Sequence, residues 1–244
     1  MNATEGDLDY TPEEMMTIAA ARCFRDRATC FVGVGLPSVA ACVARELHAP
    51  NINLIYESGA IGAKPSVPPL SIADPELAET ADFIVSVPEI FNYWLQGGRI
   101  DIGFLGAAQI DRFGNLNSTV IGSYRSPKIR LPGAGGAPQI AANVKEIVVI
   151  LRQNPKAFVS SVDFISTAPC KGRTTVVTDL GILETDPSSG ELILTAQHPR
   201  VTLYEIEKAT GWRLSAATGV RETPAPTVEE LRALRHLTAR SKTT

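Results

Sequence analysis

The chain has 244 residues, of which 44% are hydrophobic and 20% charged, and its net charge is −3. This composition is typical of a globular protein, excludes a disordered one, and lacks the basic excess of nucleic-acid-binding domains. No apolar run approaches the roughly 18 residues that a membrane-spanning helix needs. We therefore expect no nucleic-acid partner, no membrane association, and a single domain over residues 1–244.

The N-terminal residues bear on the cellular compartment of the protein, and its cysteines and histidines bear on metal binding. Residues 1–7 are acidic and polar, unlike a secretory signal or an Arg-rich transit peptide, so we expect a cytoplasmic protein. The cysteines show no CxxC spacing and the three histidines stand far apart, so neither a metal site nor a disulfide framework is expected. Buried free thiols are predicted for Cys23, Cys30, Cys42 and Cys170.

The first third of the chain predicts a β-α-β unit. A helix should begin at Pro12 with Thr11 as its cap. A buried strand over 29–34, a helix over about 37–47 and a second strand over 51–56 follow. Two strands and a helix within about 30 residues predict a parallel sheet with a right-handed crossover.

The middle of the chain is less regular. Residues 61–75 contain four prolines and predict a loop. Turn residues at 111–115 and glycines at 132–136 predict a tight turn and a bend between further elements. Those elements are a short helix over 88–95, a central strand over 102–106, an extended segment over 116–121 and a strand over 145–151.

The last third predicts a hairpin and two helices. Strands over 174–178 and 192–196 flank a strong turn signal at 186–190, residues 202–210 look helical, and Thr227 opens a capped terminal helix. The chain as a whole predicts an α/β fold: an open, mostly parallel sheet flanked by helices, with a C-terminal hairpin and helix. The inner stripe of the terminal helix is expected to be Leu231, Leu234 and Leu237.

The second strand ends in a carboxylate, Glu57, which Ser58 and Gly59 follow. Ligands of open α/β sheets bind at the carboxyl ends of the strands. Gly59 lets a substrate approach the backbone closely, and N–H groups of this turn could stabilise an oxyanion. The arrangement suits a nucleophilic carboxylate in acyl transfer. The alternative is a strand-end glutamate that only meets solvent.

Two further segments could contribute to a site. Gly133, Gly135 and Gly136, followed by Ala137, could form an anion-binding nest of backbone N–H groups, or a flexible surface loop. They do not match the GxGxxG pattern of a dinucleotide site. Gln109, at the end of the central strand, could bond a substrate or brace Glu57. For the polar residues after it, a self-bonded turn is favoured; these are Asp111, Asn115 and Asn117.

Taken together, five segments resemble the β subunit of class I CoA-transferases, of the glutaconate CoA-transferase type. The resemblance covers nearly the whole chain, and the order and spacing of the segments are similar to the family's. The family's catalytic glutamate matches Glu57, and its loop near the oxyanion and CoA matches Gly133–Ala137. The segments are Val34–Pro37, Glu57–Gly59, Gly106–Thr119, Ser126–Lys128 and Gly133–Ala137.

Two of these segments depart from the family pattern, at three positions that bear on substrate shape. Many relatives carry Ser-Glu-Asn-Gly where this chain has Tyr56, Glu57, Ser58 and Gly59. Many also carry a phenylalanine where Ala137 ends the glycine loop.

The resemblance implies a CoA-transferase-like fold and a ping-pong exchange through a Glu57–CoA thioester. Coenzyme A is then a substrate, alongside a carboxylic acid, and neither a permanent cofactor nor a metal is needed. Only one half of the family's enzyme is present, so a separate α subunit is implied, in an α2β2 assembly. Four cations are candidates for contacting a substrate carboxylate or the CoA phosphates: Arg112, Arg125, Lys128 and Arg130.

Two other functions stay open at this point. The superfamily includes subunits of hydrolases that open a ring in a CoA-linked steroid fragment, but their β-chain glutamate motif looks degraded, whereas Glu57–Gly59 is intact here. The third possibility is a non-catalytic subunit whose partner carries all of the chemistry.

Overall fold

The computed structural model describes residues 9–169 and 171–241, so the predictions for residues 1–7 and for Cys170 lie outside it. The helices are α1 (Pro12–Ala21), α2 (Leu36–Leu47), α3 (Pro75–Glu79), α4 (Val87–Glu89), which continues into a π-helical segment (Ile90–Leu95), α5 (Ala137–Asn143), α6 (Leu203–Lys208) and α7 (Val228–Ser241). The strands are β1 (Thr29–Val32), β2 (Asn53–Ile55), β3 (Ala60–Ile61), β4 (Phe83–Ile84), β5 (Ile102–Leu105), β6 (Gln109–Ile110), β7 (Leu116–Asn117), β8 (Val120–Ser123), β9 (Ser126–Arg130), β10 (Glu146–Ile150), β11 (Arg173–Val177), β12 (Gly181–Thr185), β13 (Leu192–Gln197) and β14 (Ser215–Glu222).

The chain divides into two units, and unit 1 contains the described residues up to Phe104 and those from Pro224 onward. Its centre is parallel, because β1 pairs with both β2 and β5, as in the predicted β-α-β unit. The short strands β3 and β4 continue the sheet in antiparallel fashion beyond β2. The carboxyl ends of β5, β1 and β2 therefore lie along one edge of the sheet in this unit.

The helices α1, α2 and α7 of unit 1 pack together. Thr11 caps α1 in a capping box with Glu14, and α2 begins directly after Gly35. Thr227 and Glu230 form the same kind of box at the start of α7, with hydrogen bonds of 2.8 and 3.2 Å. The predicted leucine stripe of α7 is confirmed, since Leu231, Leu234 and Leu237 are all buried.

Unit 2 extends from Leu105 to Thr223. Its larger sheet has the order β14-β13-β12-β11-β10, with parallel pairs at β10–β11 and β13–β14 and antiparallel pairs between them. Two small antiparallel pairs, β6–β7 and β8–β9, lie outside this sheet. The predicted α/β class is confirmed, with antiparallel strands extending the parallel pairs. The single domain over residues 1–244 stays a prediction.

One predicted pairing is wrong. Residues 174–178 do form a strand, β11, but the turn at 186–190 joins β12 to β13 instead. The chain reverses earlier because the Thr178 hydroxyl accepts the N–H groups of Leu180 and Gly181 at 3.0 and 2.9 Å. A threonine turn of this kind is a weak signal in a sequence, so β12 was not predicted as a separate strand.

The described residues include three of the four cysteines and all of the helices named above. Cys30 and Cys42 are buried thiols outside any disulfide, as predicted, whereas Cys23, also outside any disulfide, is only partly buried. Among the described helices, none combines the length and the apolar character that crossing a bilayer requires.

A charged cluster attaches α7 to the rest of unit 1. The Arg22 guanidinium donates to both oxygens of Glu230, at 2.7 and 2.6 Å, and to the carbonyl oxygens of Pro224 and Ala225. Burial opposes the ionised form of Glu230, but the hydrogen bonds from Arg22 and Thr227 outweigh it, so the pKa of this carboxyl is lowered. The ion pair is half-buried, where such contacts count for more than at the surface.

We predict that Arg22→Ala lowers the free energy of unfolding by about 2–3 kcal/mol, because a half-buried carboxylate loses its partner. The exposed pair Lys64–Asp82 supplies the control, and Lys64→Ala should cost under about 1 kcal/mol. Urea unfolding at neutral pH measures both. Since the pKa of Glu230 is lowered, the Arg22 contribution is present above the ordinary glutamate pKa and fades as the pH falls below it. Equal penalties for the two variants would contradict this role.

Candidate active site

Glu57 lies in a tight turn at the carboxyl end of β2. The Gly59 N–H donates to the Tyr56 carbonyl at 3.0 Å, and the Tyr56 N–H donates to the Ala60 carbonyl at 3.0 Å. Glu57 and Ser58 therefore occupy the two central positions of a β-turn between β2 and β3. This placement confirms the predicted position of Glu57 at the carboxyl end of a buried parallel strand.

The glycine at the end of this turn is required by a close backbone contact. Gly59 has a φ of +106°, and a Cβ there would overlap the carbonyl oxygen of Val85. The Val85 N–H donates to the Gly59 carbonyl at 3.0 Å, so the segment after β4 holds the turn from one side. The close approach that Gly59 allows is thus to Val85. Its N–H is already bonded to Tyr56, which corrects the expectation of a free oxyanion donor at this position.

The residue before Glu57 is fixed in the core. The Tyr56 side chain is fully buried, and burial raises the pKa of its hydroxyl. The buried Ser38 hydroxyl lies 3.5 Å from the Tyr56 hydroxyl and donates to the Gly33 carbonyl at 2.9 Å. Ser38 therefore contacts both the loop between β1 and α2, through Gly33, and the turn that contains Glu57, through Tyr56.

The Glu57 carboxylate itself has no internal partner. The residue is half-buried, and within residues 9–169 and 171–241 its side chain makes neither a hydrogen bond nor an ion pair. Other glutamates of unit 1, such as Glu14 and Glu230, are held by arginines or by backbone N–H groups. A rigid turn thus presents a carboxylate that is available to a ligand.

The glycine loop of unit 2 leads into a helix that the sequence did not indicate, α5. The Gly133 N–H donates to the Ser118 carbonyl at 2.8 Å, and the Ala137 N–H donates to the Ala134 carbonyl at 3.1 Å. In the described part of the chain, the N–H groups of Gly135 and Gly136 have no hydrogen-bond partner. Two of the predicted anion-binding donors are therefore unpaired, one on the exposed Gly135 and one on the buried Gly136, whereas the N–H groups of Gly133 and Ala137 are bonded.

Gln109 belongs to a buried polar network in unit 2. Its side-chain oxygen accepts from the Asn117 amide at 2.7 Å and from the Asp163 N–H at 3.1 Å, and its amide nitrogen donates to Asp163 at 3.2 Å. The residue is only 5% exposed. These bonds engage Gln109 within unit 2, and its contact with a substrate or with Glu57 stays a prediction.

The self-bonded turn after β6 is confirmed. The Asp111 carboxylate accepts the N–H groups of Phe113 and Asn115 at 3.0 and 3.1 Å, and the Asn115 side chain also donates to it. Asn117 accepts the N–H groups of Thr119 and Val120 in the same way. These polar residues shape the chain and are not available to a ligand.

The four predicted cations are in different environments. Arg112 lies over the Phe113 ring and 3.6 Å from Glu191. Arg125, Lys128 and Arg130 are exposed on the β8–β9 hairpin. Within the described ranges, no three His, Cys, Asp or Glu side chains are grouped as metal ligands would be. The ring of the buried His198 hydrogen-bonds to the Thr223 hydroxyl and to the Thr178 carbonyl.

We predict that Gly59→Ala lowers the free energy of unfolding by more than about 3 kcal/mol, because strain at positive φ adds to the clash with Val85. Gly190→Ala is the control: its φ is +73°, but a Cβ there has open space. It should cost only about 1–2 kcal/mol. Chemical denaturation of both variants makes the comparison, and a similar loss in the two would show that the Val85 contact does not constrain the turn.

The comparisons with known proteins agree with this architecture. A family model described as Coenzyme A transferase matches residues 13–209. The corresponding subunit of the 3-oxoadipate CoA-transferase of Pseudomonas knackmussii is 54% identical over 95% of each chain. The crystal structure of glutaconate coenzyme A-transferase from Acidaminococcus fermentans superimposes with a TM-score of 0.86, at 29% identity, over 93% of this chain and 94% of that one.

A cholesterol ring-cleaving hydrolase IpdB subunit of Mycobacterium bovis is a more distant relative, 24% identical over 92% of this chain and 93% of its own. The identity to the transferase subunit is more than twice as high. The chain therefore belongs to the coenzyme A transferase family, as a β subunit of the class I, glutaconate CoA-transferase type.

Proposed function

We propose that Glu57 is the nucleophile of this CoA-transferase subunit and carries CoA as a thioester during the exchange. The observation that supports this most directly is the unpartnered, half-buried Glu57 carboxylate in a turn fixed by the backbone of Val85. A carboxylate without internal bonds can attack a substrate without first breaking a stabilising contact. Since carboxylates are generally ionised at neutral pH, the attack needs no separate base.

The exchange proceeds in two balanced halves. The Glu57 carboxylate attacks the thioester carbonyl of the donor and expels CoA thiolate, which leaves a mixed anhydride. The thiolate then attacks the glutamyl carbonyl, so that the donor leaves as a free carboxylate and Glu57 holds CoA. An acceptor carboxylate attacks this thioester, the thiolate leaves again and attacks the acceptor's acyl group. The products are a new acyl-CoA and the original Glu57 carboxylate.

Stabilisation of the tetrahedral intermediates requires N–H donors that are not already bonded. Gly135 and Gly136 carry such groups, and the family resemblance assigns the glycine loop to the oxyanion and CoA. The N–H groups of Gly59 and Gly133 are used internally and are left out of this role. Ser58, at the turn position next to Glu57, is proposed as a polar contact for the substrate.

The partner we propose is a separate α subunit in an α2β2 assembly, because the similar transferases are named as enzymes built from subunits.

The acids exchanged are short dicarboxylic acids. The similar transferases act on 3-oxoadipate and glutaconate by their names, and both compounds carry a second carboxylate. Coenzyme A is a substrate, and no resident cofactor or metal takes part in the proposed steps.

We predict that Glu57→Gln lowers kcat/KM of the complex with the α subunit at least about 1000-fold, a loss of about 4 kcal/mol of transition-state stabilisation, because an amide cannot form the anhydride. Glu79→Gln is the matched control, since Glu79 is an exposed glutamate of the same unit. It should leave steady-state rates within about twofold. Full activity in the Glu57 variant would move the chemistry to the partner subunit.

We also predict that dicarboxylic acceptors are preferred over a monocarboxylate of the same chain length by at least about tenfold in kcat/KM, equivalent to about 1.4 kcal/mol. The reason is a charge-assisted bond to the second carboxylate, which the monocarboxylate cannot form. Initial rates with two matched pairs of acceptors, glutaconate against pentanoate and 3-oxoadipate against 3-oxohexanoate, measure this preference. Equal efficiency with pentanoate would overturn the substrate class but not the role of Glu57.

A further inference from the structure

The β8–β9 hairpin of unit 2 is strongly basic. Residues 112–145 contain no Asp or Glu, and their five cations are Arg112, Arg125, Lys128, Arg130 and Lys145. Three of these cations stand on the hairpin, where every residue from Ser123 to Arg130 is exposed. A carboxylate does reach its base, since Asp163 accepts the Gly122 N–H at 2.8 Å, but that side chain also bonds to Gln109. The outer part of the hairpin is therefore a cationic surface.

Lys128 lies at an irregular point of the hairpin. Ile121 pairs with Ile129 and Gly122 pairs with Pro127, so Lys128 is the extra residue of a β-bulge. Bulges redirect side chains and are common near functional sites. The stem of Lys128 passes over Gly122, where an added Cβ would lie 3.3 Å from Lys128 Cγ. A side chain at residue 122 would therefore crowd this lysine.

Arg130 is held in place by an aromatic ring. Its guanidinium lies 5.1 Å from the centroid of the Tyr124 ring and donates weakly to the Tyr124 carbonyl at 3.5 Å. The Tyr124 ring is itself stacked on Phe164, with centroids 5.2 Å apart. Stacking of this kind restricts the guanidinium while leaving most of its N–H groups available to an anion.

The hairpin leads directly into the glycine loop. The Leu131 N–H donates to the Thr119 carbonyl at 3.0 Å, and Gly133 follows two residues later. An extended chain spans at most about 3.3 Å per residue, so Arg130 and Lys128 stand within about 17 and 23 Å of Gly135. CoA carries its sulfur and its phosphates at opposite ends of a long pantetheine arm. A glycine loop at the thioester would thus bring the phosphate end within reach of these cations.

We propose that Lys128 and Arg130, with Arg125 at the hairpin tip, bind the phosphate groups of coenzyme A. This inference rests on the proposed function, because it takes the glycine loop as the thioester end of the ligand. Arginine and lysine are the residues that most often bind phosphate groups. The site therefore sets affinity for the CoA half of either acyl-CoA substrate and is indifferent to the acyl group.

The test is the Lys128→Ala/Arg130→Ala double variant, assembled with its α subunit. The matched control is Lys156→Ala/Lys208→Ala, which removes two exposed lysines of the same unit. We expect the KM for acyl-CoA to rise at least about tenfold in the hairpin variant, with kcat and the KM for the acceptor acid within about twofold. The control should leave all three unchanged. Added salt should raise the KM of the parent enzyme more than that of the variant, since the variant lacks the charges that salt screens.

Direct binding separates the phosphates from the rest of the ligand. Calorimetry with CoA should show a weaker complex for the hairpin variant, whereas pantetheine, which has no phosphate, should bind both forms equally. An unchanged CoA affinity overturns the proposal. So does a variant that separates from its α subunit on size-exclusion chromatography, because the hairpin would then be a subunit interface.

The two proposals fail in different ways. If acyl-CoA does not label Glu57 in the parent complex while the hairpin variant loses CoA affinity, the nucleophile assignment is wrong and the phosphate site stands. If labelling of Glu57 is normal and CoA affinity is the same in both forms, the phosphate site is wrong and the nucleophile assignment stands.

Discussion

The contact between the backbones of Gly59 and Val85 is the constraint on which the candidate site depends. It leaves no space for a Cβ at residue 59 and adds a hydrogen bond from the Val85 N–H, so the turn after β2 is held against the segment that contains Val85. Tyr56, anchored in the core beside Ser38, fixes the other side of the turn. Glu57 is consequently positioned by the main-chain hydrogen bonds of the turn and by the buried side chain of Tyr56, and its own carboxylate makes no hydrogen bond or ion pair within the described residues.

In both units, some polar groups are engaged in internal hydrogen bonds and others are not. Gln109, Asp111 and Asn117 are polar residues near the ends of strands, yet each is engaged in several internal hydrogen bonds. The Glu57 carboxylate and the N–H groups of Gly135 and Gly136 have no such bonds in the residues described. A nucleophile and oxyanion donors are the two things that acyl transfer between thioesters and carboxylates requires. Their availability supports the chemistry more strongly than the residue types do.

Much of the fold follows from local sequence signals. Three kinds of feature occur where the patterns predict them: the helix caps at Thr11 and Thr227, the buried strands β1 and β10, and the leucine stripe of α7. Several elements with weak local signals escaped prediction. Examples are β12, which follows a threonine turn, α5, which follows the glycines, and β14, whose side chains are largely exposed.

The candidate site divides in the same way. The position of Glu57 was predictable, because a carboxylate at the end of an apolar strand is a local feature. The roles of Gly59 and Gln109 were not, because they depend on partners distant in sequence, Val85 and Asp163. Family resemblance points to Glu57 as the proposed nucleophile and to the glycine loop, but it does not distinguish N–H groups that are free from those that are bonded. That distinction needs the three-dimensional contacts.

The most direct test of the account is the mass of the peptide that contains Glu57. The complex of this chain with its α subunit is incubated with acyl-CoA in the absence of an acceptor acid, digested and examined by mass spectrometry. The account predicts a peptide that carries one CoA in thioester linkage at Glu57 and loses it when the acceptor acid is added. Turnover of acyl-CoA with an unmodified Glu57 peptide, or with the CoA attached to the partner subunit, would contradict it.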